Sequence, residues 1–148
     1  MKPAPLTTAL FAVLALAGGA TARSQGDAIP PMLAIERAAG LAPGGYPGTF
    51  VMTVRASGRQ GSSLYLNSES DYRDPRNLSL EVRPVAQAQI ESRLGASAET
   101  ALQGRTIRVD GEARRVRIDF TADSRPTGKY YYQTHVVIER GEQLRSVD

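Results

Sequence analysis

From residue 48 onward the chain is dominated by a two-residue alternation of apolar and polar side chains, the period of a β-strand with one buried face. The alternation is interrupted in residues 85–94, where Ala86, Ile90 and Leu94 are spaced by four and Gly95 follows. That spacing and the terminal glycine are typical of a short amphipathic helix. The pattern therefore predicts a mostly β domain that contains one short helix.

Five strand-like stretches surround this helix, at residues 50–56, 62–67, 78–83, 106–120 and 130–138. Polar stretches with glycine or proline separate them and predict turns or loops at residues 57–61, 71–77 and 121–128. Gly111 falls at an inward position of the fourth stretch, where a glycine often marks a bulge or a sharp bend. The alternation predicts a core made of Phe50, Met52, Val54, Leu64, Leu66, Leu78, Leu80, Val82, Ile90, Leu94, Ile107, Val109 and Val137 or its neighbours.

The order strand, strand, strand, helix, strand, strand is that of the OB-fold, a five-stranded, partly open Greek-key barrel. In that fold the helix between the third and fourth strands covers the open end of the barrel. We therefore predict an all-β domain with one short helix, an OB-fold barrel, over residues 48–148.

The first 22 residues have the features of a secretory signal peptide. Lys2 is followed by a 12-residue apolar run, residues 9–20, and Ala20-Thr21-Ala22 matches the small-residue cleavage pattern. The run is shorter than the roughly 20 residues that a membrane-spanning helix needs, although an uncleaved anchor is the alternative interpretation. We predict cleavage after Ala22, a periplasmic or extracellular mature chain, and no membrane insertion after cleavage.

Residues 23–47 form an irregular lead-in that is rich in glycine, proline and alanine. Residues 32–39 have the composition of two helical turns, which Gly40 would end. A disordered linker is the other interpretation of the same segment. The predicted organisation is therefore a signal peptide over residues 1–22, a lead-in over 23–47 and the barrel domain over 48–148.

The chain has no cysteine, which excludes disulfides, thiolate chemistry and cysteine-based metal sites. A mature domain of 126 residues is large enough to fold on its hydrophobic core without such cross-links. It would carry 17 basic and 15 acidic residues, and so small an excess is no polyanion-binding signature. Binding of an anionic partner would have to depend on local clustering of cationic side chains.

Two parts of the chain resemble small bacterial OB-fold domains. Residues 64–67 (LYLN), the polar loop 71–77 and the apolar strand 78–82 are similar to the second strand, the loop and the third strand of those domains. Residues 102–111 (LQGRTIRVDG) resemble their fourth strand, in which a glycine and a basic residue precede alternating valines and a glycine. The resemblance extends over roughly residues 48–147 and implies an OB barrel of the nucleic-acid-binding type. Some members are exported to the periplasm, and their function is uncharacterised.

The sequence contains no recognisable catalytic constellation. His135 is the only histidine, so neither a Ser–His–Asp triad nor a histidine-based metal spacing is indicated. The pairs Asp71/Asp74 and Asp119/Asp123 could hold a hard cation, but two carboxylates in a loop are more often turn formers. We therefore predict that the protein is not an enzyme and needs no cofactor or metal ion.

The strongest local feature is a basic and aromatic cluster around the hairpin between the fourth and fifth predicted strands. Arginine and aromatic side chains together can stack on bases or sugars and pair with phosphates. An ordinary solvated hairpin is the alternative interpretation. An anionic polymer would require the arginines and Lys129 to share one face of the hairpin with Tyr130 or Tyr132. The candidate ligand-binding residues are Tyr65, Tyr72, Arg114, Arg115, Arg117, Arg125, Lys129, Tyr130 and Tyr132.

These observations together predict an exported, non-enzymatic OB-fold binding module of the cell envelope. Three classes of partner stay open: an envelope protein, an anionic polymer such as single-stranded nucleic acid or acidic polysaccharide, and a small cationic or amphipathic molecule. A secreted hydrolase is a further alternative, which the missing catalytic set disfavours.

Overall fold

The computed structural model describes residues 28–148, so the predicted signal peptide, its predicted cleavage after Ala22 and the start of the lead-in lie outside the described residues. The described part is mostly β-strand with a few short helices, and none of those helices is long and apolar enough to cross a membrane. The helices are α1 (Pro31–Leu41), α2 (Pro84–Leu94), α3 (Ala98–Leu102) and a 3₁₀ helix (Gly141–Gln143). The strands are β1 (Gly45–Thr53), β2 (Ala56–Gln60), β3 (Ser63–Asn67), β4 (Leu78–Val82), β5 (Thr106–Ala122), β6 (Arg125–Ile138) and β7 (Leu144–Val147).

The helix predicted between the third and fourth strands is confirmed as α2. Pro84 occupies its first turn, where a missing N–H needs no partner, and Gly95 ends it in a left-handed conformation (φ 70°). In the lead-in, α1 occupies the segment for which a short helix was one of the two interpretations, and it continues past Gly40 to Leu41. Within residues 48–148 the prediction of a single helix is wrong, because the five-residue α3 follows α2. Helix α3 is too short to show a helical period in the sequence, and it is capped by the Ser97 hydroxyl, which accepts a hydrogen bond from the Thr100 N–H.

The strands form one sheet in the order β1-β5-β6-β4-β3-β2, with β7 beside β5. All neighbours are antiparallel except β4 and β6, which are parallel. Among the described strands, β1 and β2 lie at opposite ends of this order and do not pair with each other. They are nevertheless consecutive in the chain: the Val54 N–H bonds to the Arg105 carbonyl next to β5, and the Arg55 N–H bonds to the Asn67 carbonyl in β3. The chain therefore crosses from one end of the sheet order to the other within two residues.

The core lies on one face of this sheet, beneath α1 and α2. Every residue of the predicted core is buried except Leu94 and Val137, which are half-buried. In β6, the last of the five predicted strands, the buried apolar residues are the neighbours of Val137, namely Val136 and Ile138, so the phase of that strand is now defined. The alternation could not show that Ala34, Ala38 and Leu102 complete the core from the helices and Leu144 from β7.

Two predicted loops are wrong because strands occupy them. Residues 57–61 fall largely within β2, whose polar, exposed side chains show no apolar alternation. The predicted loop 121–128 is reduced to a two-residue turn, since β5 continues to Ala122 and β6 begins at Arg125. Asp123 and Ser124 have φ values of 49° and 61°, and two left-handed residues in sequence are the geometry of a tight β-hairpin turn.

The predicted bulge at Gly111 is also wrong. The pairing of β1 with β5 continues without interruption through Gly48 and Gly111, and the register shifts of β5 lie elsewhere, at Arg108/Val109 and at Asp119/Thr121. A Cβ added at Gly111 would lie 2.5 Å from the Val136 Cγ1 atom. Glycine is therefore required here by close packing against the core rather than by a bulge.

The hairpin of β5 and β6 extends well beyond the rest of the sheet. β1 pairs with β5 no further than Arg114, and β4 pairs with β6 only from Thr134 onward. Residues 115–133 therefore form a two-stranded ribbon without a further strand beside it in the described part of the chain. We call this segment the β5–β6 ribbon.

Candidate functional site

A cleft of about 410 Å³ opens on the face of the sheet opposite the core, and we call it the outer cleft. Its floor is formed by β3, β4 and β6, one wall by β2, and the other wall by the β5–β6 ribbon and the loop after β3. Its lining residues are Gly58, Arg59, Gln60, Tyr65, Asn67, Tyr72, Ser79, Ile118, Tyr131, Gln133 and His135.

The register of three strands places polar side chains side by side on the floor. Asn67 pairs with Ser79, and Ser79 pairs with His135, so these residues form one row across β3, β4 and β6. Their neighbours Leu66, Leu80 and Val136 point to the other face and are buried in the core. The cleft floor is therefore set by strand pairing, not by a loop, and its polar groups are held on rigid elements.

The side chain of Asn77 links the floor of the cleft to the loop that contains Tyr72. The Asn77 Nδ2 group donates to Asn67 Oδ1 (3.1 Å), Ser79 Oγ (3.0 Å) and the Tyr72 carbonyl (3.3 Å). Its Oδ1 accepts from the Glu69 N–H (3.0 Å). The side chain is only 4% exposed, so these bonds replace the hydration that it loses on folding.

A chain of hydrogen bonds runs along β6 from Tyr131 to His135. Gln133 Nε2 donates to the Tyr131 hydroxyl (2.7 Å), and Gln133 Oε1 lies 2.6 Å from His135 Nε2. This orientation of the amide requires His135 to carry a proton on Nε2, since Oε1 can only accept. In the neutral imidazole, Nδ1 is therefore left as an acceptor.

The ionisable groups of the floor are shifted towards their neutral forms. Burial lowers the pKa of His135, although the nearby Glu81 carboxylate opposes that change. Burial raises the pKa of Tyr65, and the charge of Glu81 acts in the same direction. Burial also raises the pKa of Tyr131. The cleft therefore presents an uncharged imidazole and uncharged phenols at neutral pH.

Arg59 is the one formally charged side chain among the lining residues, and other residues hold its guanidinium. Its Nε atom donates to Glu99 Oε1 (2.7 Å), and Nη1 donates to Gln87 Oε1 (3.3 Å). The outer cleft is therefore close to electrically neutral, which the charge clustering in the sequence does not suggest.

The structure divides the nine predicted site residues among three places. Tyr65 and Tyr72 line the outer cleft. Arg115 and Arg117 share one face of the β5–β6 ribbon with Tyr130 and Tyr132, because directly paired residues point to the same side. The expectation that the other cations share this face with the tyrosines is wrong. Arg114 alternates onto the cleft side of the sheet, where it pairs with Glu112, while Arg125 and Lys129 are exposed near the turn.

The face of the ribbon away from the cleft carries two stacked pairs, which we call the Arg–Tyr ladder. The Arg115 Cζ atom lies 3.6 Å from the centroid of the Tyr132 ring, and the Arg117 Cζ atom lies 4.0 Å from that of Tyr130. The two tyrosine rings meet edge to face at 5.6 Å. Arg117 also pairs with Asp119 (2.8 Å), whereas Arg115 has its ring contact and no ion pair within residues 28–148.

Of the two acidic pairs, Asp71 and Asp74 behave as turn formers, whereas Asp119 lies within β5 and pairs with Arg117. Asp71 Oδ1 accepts from the Arg73 N–H, and Asp74 Oδ1 accepts from the Arg76 N–H, both at 2.9 Å. The side chain of Arg76 lowers the pKa of Asp74 to about 2. Within the described residues no group of three or more acidic or histidine side chains converges as a metal site would require.

Gln133, Asn67 and Ser79 are among the cleft residues that sequence reasoning missed. No spacing links them, because they lie on three strands and meet only through pairing between distant parts of the chain. The available signal was weak: all three are polar residues at outward positions of otherwise apolar strands, where a solvated face explains them equally well.

Comparison with known proteins assigns no identity to the chain, since no family model matches it and neither the curated proteins nor the solved structures contain a significant match.

Proposed function

We propose that the protein is an exported, non-enzymatic binding module with an OB-fold barrel, as the resemblance to small bacterial OB-fold domains implies. Five strands arranged in a ring cannot all be antiparallel to both neighbours, because five is odd. One parallel pair is required, and the parallel pairing of β4 with β6 meets that requirement. β1 and β2, taken as two segments of one bent strand, supply the remaining link between β5 and β3. Helix α2 lies between the third and fourth strands of this ring, as in the OB-fold.

The single observation that carries the binding role is the position and lining of the outer cleft. OB barrels bind their ligands on the face of the second and third strands, between the loops that follow strands one and four. In this chain those elements are β3 and β4, the β2–β3 turn and the β5–β6 ribbon. The outer cleft lies there and is lined by three tyrosines, three side-chain amides and a histidine. These are stacking and hydrogen-bonding groups suited to recognition of a small ligand.

The cleft offers no nucleophile paired with a base. His135 is its only imidazole, and the Nε2 atom of that ring is bonded to an amide rather than to a hydroxyl. This arrangement supports a binding protein over the hydrolase alternative. The export of the mature chain rests on the signal-peptide features of residues 1–22.

Ligand-observed NMR with three probes tests the binding role. The probes are maltotriose as a neutral glycan, adenosine as a nucleoside, and tyramine as a cationic amphipathic molecule. We expect at least one of them to bind the wild type and to lose most of its binding in Tyr72→Ala. Tyr72 is 50% exposed and its side chain donates no hydrogen bond within residues 28–148, so this change should not disturb folding.

Val85→Ala is the control, because Val85 is 62% exposed on α2 and takes no part in the cleft. It should bind the same probe as the wild type does. A protein that binds none of the three probes, or binds them equally well after Tyr72→Ala, would exclude a binding role for the outer cleft.

A second candidate function is the binding of an anionic polymer on the Arg–Tyr ladder. The observation that favours it is the stacking of the exposed residues Arg115 and Arg117 on tyrosine rings, which helps to hold both guanidiniums in place. Arg115 has no ion pair among residues 28–148, while Arg117 is paired with Asp119. Arg114 lies on the other side of the sheet, so the surface of the ladder carries two arginines. Such a surface would contact phosphates or carboxylates of an extended chain.

The test of this candidate is titration of a labelled single-stranded oligonucleotide at low and moderate salt. Binding should weaken with salt, with a log–log slope of about −0.7 for each phosphate contact. The double variant Arg115→Glu, Arg117→Glu should abolish it, while Tyr72→Ala should leave it intact. Absence of binding by the wild type at low salt, or unchanged binding in the double variant, would rule this candidate out.

A further inference from the structure

Some polar groups of the outer cleft have no hydrogen-bond partner among residues 28–148, although they lie on rigid strands. Asn67 Oδ1 accepts from both Asn77 and Ser79, but the Asn67 Nδ2 group has no acceptor in this part of the chain. His135 uses Nε2 and leaves Nδ1 without a donor in the same region. Asn67 is 5% exposed and His135 is 9% exposed, so each group meets solvent only through the cleft that it lines.

The polar groups without a partner include both hydrogen-bond donors and a hydrogen-bond acceptor. Asn67 Nδ2 is a donor and His135 Nδ1 is an acceptor. The Tyr131 hydroxyl accepts from Gln133 and so keeps its own proton to donate. A ligand that satisfies such a set needs neighbouring groups that both donate and accept, and the hydroxyls of a sugar ring do so.

The cleft offers few charged groups that could bind an ion, so a neutral ligand fits it better than a charged one. A phosphate or a carboxylate would find only Arg59, whose guanidinium is already held by Glu99 and Gln87. A cation would find no carboxylate among the lining residues. Glu81, which lies beside Tyr65 on the neighbouring strand, pairs with Arg83 (3.0 Å) and accepts from Ser63 (3.1 Å).

The aromatic rings supply the apolar half of a sugar site. The C–H face of a pyranose packs against an aromatic ring while the hydroxyls at its edge bind polar groups, and tyrosine offers both functions in one side chain. Tyr65 lies on β3 two residues before Asn67, and its ring meets that of His135 edge to face at 5.8 Å. Tyr72 lines the cleft from the loop after β3, and Tyr131 adds a third ring from the ribbon. The volume of about 410 Å³ is near the lower end of the ~300–1,000 Å³ of small-molecule sites, which suits one or two sugar rings.

We propose that the outer cleft binds a neutral glycan segment, with Tyr72 and Tyr131 as stacking platforms and Asn67 and His135 as partners of its hydroxyls. This inference rests on the proposed binding role of the cleft and specifies its ligand. An exported module of the envelope meets such polymers outside the cytoplasm.

Isothermal titration of the full mature chain with cellotriose and chitotriose tests the ligand class, with trigalacturonate and adenosine as competitors for the same cleft. We expect one of the two neutral trisaccharides to bind at least tenfold more tightly than either competitor. Tyr72→Ala should weaken that binding at least tenfold. Tyr131→Phe, which keeps the ring and removes only the hydroxyl, should weaken it about threefold, and Val85→Ala should not change it.

The outcomes separate this inference from the proposed function. Binding of adenosine or trigalacturonate that Tyr72→Ala abolishes, without binding of a neutral trisaccharide, would overturn the glycan assignment and leave the cleft as a binding site. Trisaccharide binding that is unchanged in both tyrosine variants would place the sugar elsewhere and overturn the inference. Absence of trisaccharide binding at millimolar concentrations would overturn it as well.

Discussion

Removal of the Asn77 side chain should destabilise the domain far more than its size suggests. Asn77→Ala deletes three good hydrogen bonds, to Asn67 Oδ1, to Ser79 Oγ and from the Glu69 N–H, at 3.0 to 3.1 Å. A hydrogen bond of this kind contributes about 1 kcal/mol net, and a buried group left without a partner costs more. The longer contacts to the Tyr72 carbonyl and from the Ser68 hydroxyl, at 3.3 and 3.5 Å, add little. The expected loss is therefore about 2–4 kcal/mol in the free energy of unfolding.

Urea unfolding followed by circular dichroism measures this loss, and the melting temperature should fall by about 10 °C for a domain of this size. Ser70→Ala, at an exposed position of the same loop, is the matched control and should change stability by less than about 0.5 kcal/mol. Asn77→Asp keeps the shape but replaces the Nδ2 donors by an acceptor and adds a buried negative charge, so it should also destabilise the domain. A loss below about 1 kcal/mol in Asn77→Ala, or wild-type stability in Asn77→Asp, would refute the reasoning.

Three further predictions concern the core, the histidine and the N-terminus. Leu80→Ala should cost about 2–5 kcal/mol in denaturant unfolding, since Leu80 is fully buried, and a cost below about 1 kcal/mol would contradict its place in the core. Stability should fall as the pH drops below about 6.5, because the lowered pKa of His135 lets the unfolded chain bind a proton that the native site, which faces Glu81 and Tyr65, resists. The loss should not exceed about 1.4 kcal/mol per pH unit, and a variant His135→Gln with the same pH dependence as wild type would disprove the assignment. N-terminal sequencing of the exported protein should begin at Arg23, and retention of Lys2 would contradict cleavage.

The elements that could be predicted from the sequence are those in which local pattern and tertiary environment agree. Residues 78–82 alternate because β4 has one face in the core, and Pro84 and Gly95 mark the two ends of α2. β2 was predicted as a turn because its glycine, serine and polar residues carry no apolar face, and its strand conformation depends on pairing with β3. The ribbon turn was missed because Asp123-Ser124 replaces the Asn-Gly or Asp-Gly pairs that usually signal a tight hairpin.

The candidate site could be predicted only in part, for a related reason. Alternation placed Tyr130 and Tyr132 on one face of the strand. Their pairing opposite Asp119 and Arg117, respectively, depends on the register of β5 and β6, which a sequence does not define. The clustering of charged residues in the sequence indicated the ribbon as a candidate site. The outer cleft is nearly neutral, so no cluster of charged residues marks it in the sequence. Its row of Asn67, Ser79 and His135 forms only when β3, β4 and β6 pair.

The most direct test of the binding role is a side-chain amide NMR titration of the mature protein with the probe that binds. The chain has only two asparagines, Asn67 and Asn77, so their Nδ2 signals can be assigned from single variants. We expect the side-chain amide signals of Asn67 and Gln133 to shift with ligand concentration. The signal of Asn77, which bonds to Asn67 but does not line the cleft, should shift less. Shifts confined to residues of the Arg–Tyr ladder, or an unchanged Asn67 signal at saturation, would contradict binding in the outer cleft.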